Sequence, residues 1–214
     1  MDIKYFDGIT PKQIDKIVEK FCKQINYSAK PQYIGVMPWE KSEINDCVNN
    51  VKEYLENHEG SSVIGWTIWL HPHCMLEAEF HILYKSINGQ LIDITPHKNN
   101  VDKILFIEDQ SIEYNNCQIN NIRKNISKSK LIDSVIANWN EIFVIQNEGK
   151  NKYKHGEIII EGEKAERMMY LEYLNQQILA NFFSTLKLKP NDTCICGSGL
   201  NFVDCCKPNL TKTK

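Results

Sequence analysis

The chain has 214 residues, 42% of them hydrophobic, and a formal net charge of −2 at neutral pH. That length supports one hydrophobic core with a small appendage, and the near-balanced charge gives no case for nucleic-acid or anionic-membrane binding. No apolar run reaches the roughly 18 residues of a membrane-spanning helix, and MDIKYFDGIT lacks a basic stretch followed by an apolar one, so a soluble, cytoplasmic protein is expected.

Thr10 and Pro11 read as an N-cap and first helical position. The following residues place Ile14, Ile17, Val18, Phe21, Cys22 and Ile25 on one stripe, which predicts an amphipathic helix. Cys22 on that stripe reads as a small core residue. Residues 26–40 read as a loop with a strand fragment around Tyr33–Val36. A second helix is predicted over Asn45–Asn57, with Ile44, Val48, Val51 and Leu55 as its buried stripe and His58-Glu59-Gly60 as its end. Strands follow at 62–69, 77–84, 91–95 and 104–107. Residues 111–130, rich in Asn, Ser and Lys, read as loops with one short helical piece. Residues 131–145 are apolar and fit helix, strand or one of each, and 146–157 read as a polar linker or exposed hairpin. A long helix is predicted from Glu163 to Leu186, packing through Ala165, Met168, Met169, Leu171, Leu174, Ile178, Leu179, Phe182 and Phe183.

Asn88-Gly89 between alternating apolar runs predicts a hairpin. A two-residue loop would send His81 and Asp93 to opposite faces of the sheet. A three-residue loop, with Gly89 at positive φ, pairs His81 with Thr95 and Leu83 with Asp93. One face then reads Ala78, Phe80, Ile82, Tyr84, Ile92 and Ile94, apolar throughout, and patterning prefers that register. It also makes His81 and Asp93 diagonal neighbours, within reach of a carboxylate–imidazole contact.

Of eight cysteines, Cys194, Cys196, Cys205 and Cys206 fall within NDTCICGSGLNFVDCCK. The C-x-C-x8-C-C spacing suits four thiolates around one tetrahedral Zn2+. Gly197 and Gly199 supply the backbone freedom of a tight loop, and Ser198 offers a hydrogen bond to a thiolate. Free or disulfide-bonded cysteines fit this spacing poorly in a cytosolic chain. Together with Phe202, these residues resemble the SEC-C motif, the zinc-binding tail of the bacterial preprotein translocase motor. The resemblance covers under a tenth of the chain and implies a zinc-dependent contact module with a protein partner. Ile195 stands where proline is common, and Leu200-Asn201 replaces the usual lysines, which weakens any implication of phospholipid or RNA docking.

Cys47 falls at the start of the second helix behind Asn45 or Asp46, where the helix dipole and free amides favour a thiolate. The order is then a cysteine at a helix N-terminus, strands, a histidine on a strand and an aspartate on the next. Over Ile44 to Pro96 this order resembles the papain-like superfamily, particularly its transglutaminase and small amidase branches. The resemblance implies Cys47 as nucleophile, His81 as general base and acid, and Asp93 as the carboxylate that orients His81. Trp39 or backbone amides near Cys47 are the candidate oxyanion donors. The bland readings are a small helix-edge cysteine, a satisfied strand histidine and an aspartate bonded to turn amides. Glu77, Glu79 and His81, alternating on one face, offer a different reading as metal ligands, with His71 and His73 as possible additions.

The expected architecture is α+β: a papain-like or transglutaminase-like core over 1–150 with N-terminal helices and an antiparallel sheet, a linker and long helix over 151–189, and a zinc knuckle over 190–214. The expected function is cysteine-dependent acyl transfer or hydrolysis of a peptide or amide, as in a peptidase, deamidase, transglutaminase or amidase. The alternative is a catalytically inactive adaptor that works through its zinc-dependent tail.

Overall fold

Apolar alternation across residues 60–86 drives a hairpin of two twelve-residue strands, β2 (Gly60–His71) and β3 (Met75–Ser86), paired along their whole length. The computed structural model of the protein describes residues 8–28, 30–98, 100–154 and 158–207. Around the hairpin stand β1 (Gln32–Gly35), β4 (Leu91–Ile92), β5 (Lys103–Glu108) and β6 (Ile122–Asn125). The strand order is β1-β5-β2-β3-β4, with β6 also on β3, and all these pairings are antiparallel. The helices are α1 (Lys16–Ile25), α2 (Cys47–Leu55), α3 (Lys130–Gln146) and α4 (Gly162–Thr185). The fold is α+β with a long C-terminal helix, and no described helix is long and apolar enough to cross a membrane.

On one face of the sheet, Val18, Phe21 and Cys22 of α1 bury Trp66, Ile68, Leu76, Ala78, Leu105 and Ile107. Farther along β3, Val51 of α2 packs on Ile82, Tyr84 and Ile94. The opposite face gathers Ile34, Val63, Trp69, Leu83, Ile104 and Phe106. At the β2–β3 turn, Cys74 and Met75 meet Ile132 and Val135 of α3, Leu179, Phe182 and Phe183 of α4, and Ile195 of the C-terminal knuckle. The two tryptophans of β2 fall on opposite faces, as strand parity requires.

Several elements differ from the sequence-based expectation. α1 begins at Lys16 behind Asp15, whose carboxylate accepts from the Ile17 and Val18 amides. Thr10 is no cap; its hydroxyl donates to the Lys103 carbonyl, beside an Ile9 bridge to Leu70 that fixes this segment in extended form. Gly60 opens β2 instead of closing α2, because a Cβ there would stand 2.4 Å from the Lys85 carbonyl and 2.6 Å from the Tyr84 ring. β6 lies where loops and a helical piece were expected; it is a strand because its backbone pairs with Met75–Ala78 and Arg123 stands opposite Glu77. Residues 131–145 resolve as one helix, capped by Ser129. Within 146–157 a 3-10 turn covers Gly149–Tyr153, and 155–157 lie outside the described residues. α4 has buried residues only from Leu171 onward: Leu171, Leu179, Phe182 and Phe183 pack inward while Met169 is exposed.

The hairpin register follows the three-residue loop. Ser86 and Gln90 close it, Gly89 has φ of 81°, and Tyr84 pairs with Ile92 and Lys85 with Leu91. The expected pairs His81–Thr95 and Leu83–Asp93 do not form, because β4 ends at Ile92. Asp93 instead bridges Val36, its N–H donating to the Gly35 carbonyl. β6 covers the outer edge of β3 only at Met75–Ala78, and β4 only at Tyr84–Lys85. Between them, the Glu79–Leu83 edge has no paired strand among the described residues.

Candidate functional site

A cavity of about 480 Å3 opens at that gap in the sheet edge. Asn45, Asp46 and Cys47 form one wall; Glu79, Phe80 and His81 of β3 and Thr95 to His97 form another; Tyr114 and Cys117 to Ile119 close it. Phe80 and Tyr114 stack with ring centres 5.1 Å apart. No lysine or arginine among the described residues lines this cavity.

Cys47 is the first residue of α2, because Asn45 takes a left-handed φ of 62° and turns the chain into the helix. The Asp46 side chain caps no helix amide and accepts from the Asn49 amide instead. The first-turn N–H groups beside the thiol therefore have no side-chain cap.

Across the cavity, His81 is 4% exposed and Asp93 0% exposed. Nε2 of His81 stands 3.0 Å from Oδ1 of Asp93, but off the direction of an N–H···O bond, so this buried nitrogen lacks an aligned partner among the described residues. Burial works to depress the His81 pKa; the negative charge of the Asp93 carboxylate, and then that of Cys47, outweigh it and hold the imidazole well above its ordinary value. Asp93 is burdened by burial too, yet the two histidines keep its carboxyl well below the usual carboxylate range. Thus Cys47 and His81, far apart in sequence, line one cavity, and Asp93 stands fully buried beside His81.

Three residues outside that sequence-derived set complete the cluster. His97 donates from Nε2 to Oδ2 of Asp93 at 2.6 Å and meets the edge of Trp69. The Thr95 amide donates to Oδ1 of Asp93 at 3.0 Å. Asn50, buried in α2, donates to the Thr95 hydroxyl at 3.2 Å and to the Glu43 carbonyl at 2.8 Å, and accepts from the Glu43 amide at 2.9 Å. A sequence signal for His97 existed in its place four residues after Asp93, but local pattern does not show the chain bending back there.

Trp39 does not line this cavity; it packs beside Tyr54, on a separate depression with Ile92 and Ile94. Glu77, Glu79 and His81 do not converge on a metal position. Glu77 accepts from His71 at 2.8 Å, Arg123 at 2.8 Å and Asn121 at 2.9 Å, while Glu79 accepts from the Trp69 indole at 2.7 Å. His73 donates to the Thr193 carbonyl at 3.0 Å.

The knuckle is a second site. One sulfur from each of Cys194, Cys196, Cys205 and Cys206 falls within 4.8 Å of the others, all four thiols being free. Cys196 stands 3.5 Å from both Cys194 and Cys205. A tetrahedral ion with bonds of about 2.3 Å to sulfur requires edges of about 3.8 Å, so the four thiols fit a metal with little movement. Burial raises the Cys196 thiol, but hydrogen bonding to Ser198 and the neighbouring sulfurs brings it down to about 7. Burial, then the crowding of Cys194 and Cys196, pushes Cys206 up; a cation relieves that repulsion. Gly197 and Gly199 adopt φ of 78° and 73°, and Ser198 Oγ lies 3.3 Å from the Cys205 sulfur.

Residues 191–208 match the SEC-C motif. No curated protein and no solved structure matches the chain.

Proposed function

We propose that this protein is a cysteine-dependent acyl-transfer or hydrolase-type enzyme, papain-like in the arrangement of its reacting groups, joined to a zinc-binding contact module. The carrying observation is that Cys47, at the start of α2 with no side-chain cap, and buried His81, 3.0 Å from the Asp93 carboxylate, line one cavity. In this reading His81 is the imidazolium partner of a Cys47 thiolate. The thiolate attacks the carbonyl carbon of an amide or ester, and the oxyanion forms near the free first-turn amides of α2. As the carbon–nitrogen or carbon–oxygen bond breaks, His81 passes its proton to the leaving group and a Cys47 thioester remains. Water or an amine then attacks the thioester, with neutral His81 taking the proton. Asp93 keeps the ring oriented through both steps. A peptidase, deamidase, transglutaminase or amidase would use this sequence of steps.

The test is alkylation with iodoacetamide followed by peptide mass mapping. Cys47 is expected to label at least tenfold faster than Cys22, whose buried thiol is pushed up to about 11, and faster than half-buried Cys117. His81→Ala is expected to remove the excess. Slow, equal labelling of all three cysteines would retire the enzyme reading.

The knuckle, in this proposal, holds Zn2+ through Cys194, Cys196, Cys205 and Cys206 and contacts a protein partner. Leu200, 54% exposed at its tip, supports a contact role. An adaptor without chemistry would keep that contact after Cys47→Ser.

A further inference from the structure

We infer that His81, Asp93 and His97 form a second metal site, one that binds a divalent transition ion of the zinc type and thereby withdraws the base from Cys47. The binding stands on geometry alone; its inhibitory consequence rests on the acyl-transfer reading above.

Two imidazoles and one carboxylate are the donor set of three-ligand zinc sites that keep a fourth position open. Here each residue offers one ligand atom, and the three atoms fall within 4.8 Å of one another. Nε2 of His81 stands 3.0 Å from Oδ1 of Asp93 and Nε2 of His97 2.6 Å from Oδ2, one imidazole on each carboxylate oxygen. A tetrahedral ion with bonds of about 2.0 Å needs edges of about 3.3 Å. The His81–Oδ1 edge therefore opens by a few tenths of an ångström, and half-buried His97, at the cavity rim and with the three ligand atoms within 4.8 Å of one another, meets the ion by a small adjustment of its ring.

The His81 nitrogen points to this site independently. It is buried and 3.0 Å from a carboxylate, yet no partner among the described residues lies along its bonding direction. Once an ion displaces its proton, this nitrogen presents a lone pair beside the oxygen and not aimed at it, which suits an ion held between them. The surrounding shell is also built: Thr95 donates to Asp93, and Asn50 holds Thr95. The adjoining cavity of about 480 Å3 leaves room for a water or ligand as the fourth donor, and no lysine or arginine among the described residues lines it. Imidazole donors favour zinc-type ions over magnesium or calcium, which prefer all-oxygen sets. The four thiolates of the knuckle are the softer, more complete set, so the knuckle fills first and this site responds to metal in excess.

The experiment uses full-length protein whose knuckle already holds one equivalent of zinc, titrated with Co2+ in both the unaltered chain and Cys47→Ser. In Cys47→Ser a second equivalent is expected, with visible d–d bands and no thiolate charge-transfer band. Both His97→Ala and the milder His97→Gln are expected to weaken that binding at least tenfold. In the unaltered chain, filling the site is expected to slow iodoacetamide labelling of Cys47 at least tenfold. No second equivalent, or one that survives both His97 substitutions, overturns the site. If the second ion binds but metal-free Cys47 is no more reactive than Cys22 or Cys117, the metal site stands and the acyl-transfer reading falls. If Cys47 is reactive through His81 and no second ion binds, the reverse holds.

Discussion

Asn50 joins three parts of the candidate site: the Glu43 turn before α2, the helix that begins with Cys47, and Thr95 beside Asp93. Its side chain is 4% exposed, so each lost bond leaves a buried group with nothing to replace it. Asn50→Ala is expected to cost about 2–4 kcal/mol in urea denaturation and to slow Cys47 labelling, since the helix start and Thr95 lose their tie. Glu77 gives a prediction in pH. Burial raises its pKa, but His71, then Arg123 and Asn121, overcome this and hold it at about 2. In the unfolded chain a glutamate titrates near about 4.3, so the unfolded state binds the extra proton between these values. The stabilisation, on the order of 3 kcal/mol, is complete above about pH 5 and is lost as pH falls toward 2. Glu77→Gln is expected to flatten the acid limb of stability against pH; an unchanged limb would show that the His71–Glu77–Arg123 cluster does not govern acid unfolding.

At the scale of elements, β2 and β5 approach so closely at Gly65 that a Cβ there would stand 2.1 Å from the Ile107 carbonyl and 2.6 Å from the Phe106 ring. Both strands' backbones would have to part, directly opposite His81 in the register. Gly65→Ala is expected to cost about 3 kcal/mol or more, whereas Gly35→Ala, with nothing within 4 Å, stays within about 0.5 kcal/mol. Thermal unfolding of both variants checks the contrast. The strands β2 and β3 and the three-residue loop between β3 and β4 were legible in sequence because alternation and Asn88-Gly89 are local signals. So was Cys47 as a helix start. The end of β4 at Ile92 was not, since Asp93 leaves β3 to meet Gly35, a partner almost sixty residues away. His97 and Asn50 were missed for the same reason: each gains its role from how the chain turns after that departure. β6 was hidden because IRKN has little strand character of its own and becomes a strand by pairing with β3. α3 was ambiguous because its apolar residues do not keep to one side, so periodicity did not decide between helix and strand.

At the scale of the whole molecule, the knuckle is built into the hydrophobic packing at the turn of the β2–β3 hairpin. Ile195, 5% exposed, sits in one cluster with Cys74, Met75, Ile132 and Phe182, and the adjoining Cys194 is 0% exposed. The Thr193 carbonyl accepts from His73, which lies in the turn between the two strands, and Lys12 donates to the Gly199 carbonyl. Loss of metal would loosen the loop that presents Ile195 and uncover the sulfurs behind it. Releasing one buried isoleucine is worth about 2 kcal/mol, which for a chain of this size lowers Tm by about 4–8 °C. Chelation is therefore expected to shift the main unfolding transition, with α3 and α4 reporting through Trp139 fluorescence and far-UV circular dichroism together. It should also raise amide exchange in the turn around His73. A separate low-temperature transition, with the main one unmoved, would show that the knuckle contributes nothing to the core. Because β3 carries His81, this contact also sets a limit on the contact module: a partner that pulled the knuckle from its seat would disturb the far end of the strand that holds the candidate base.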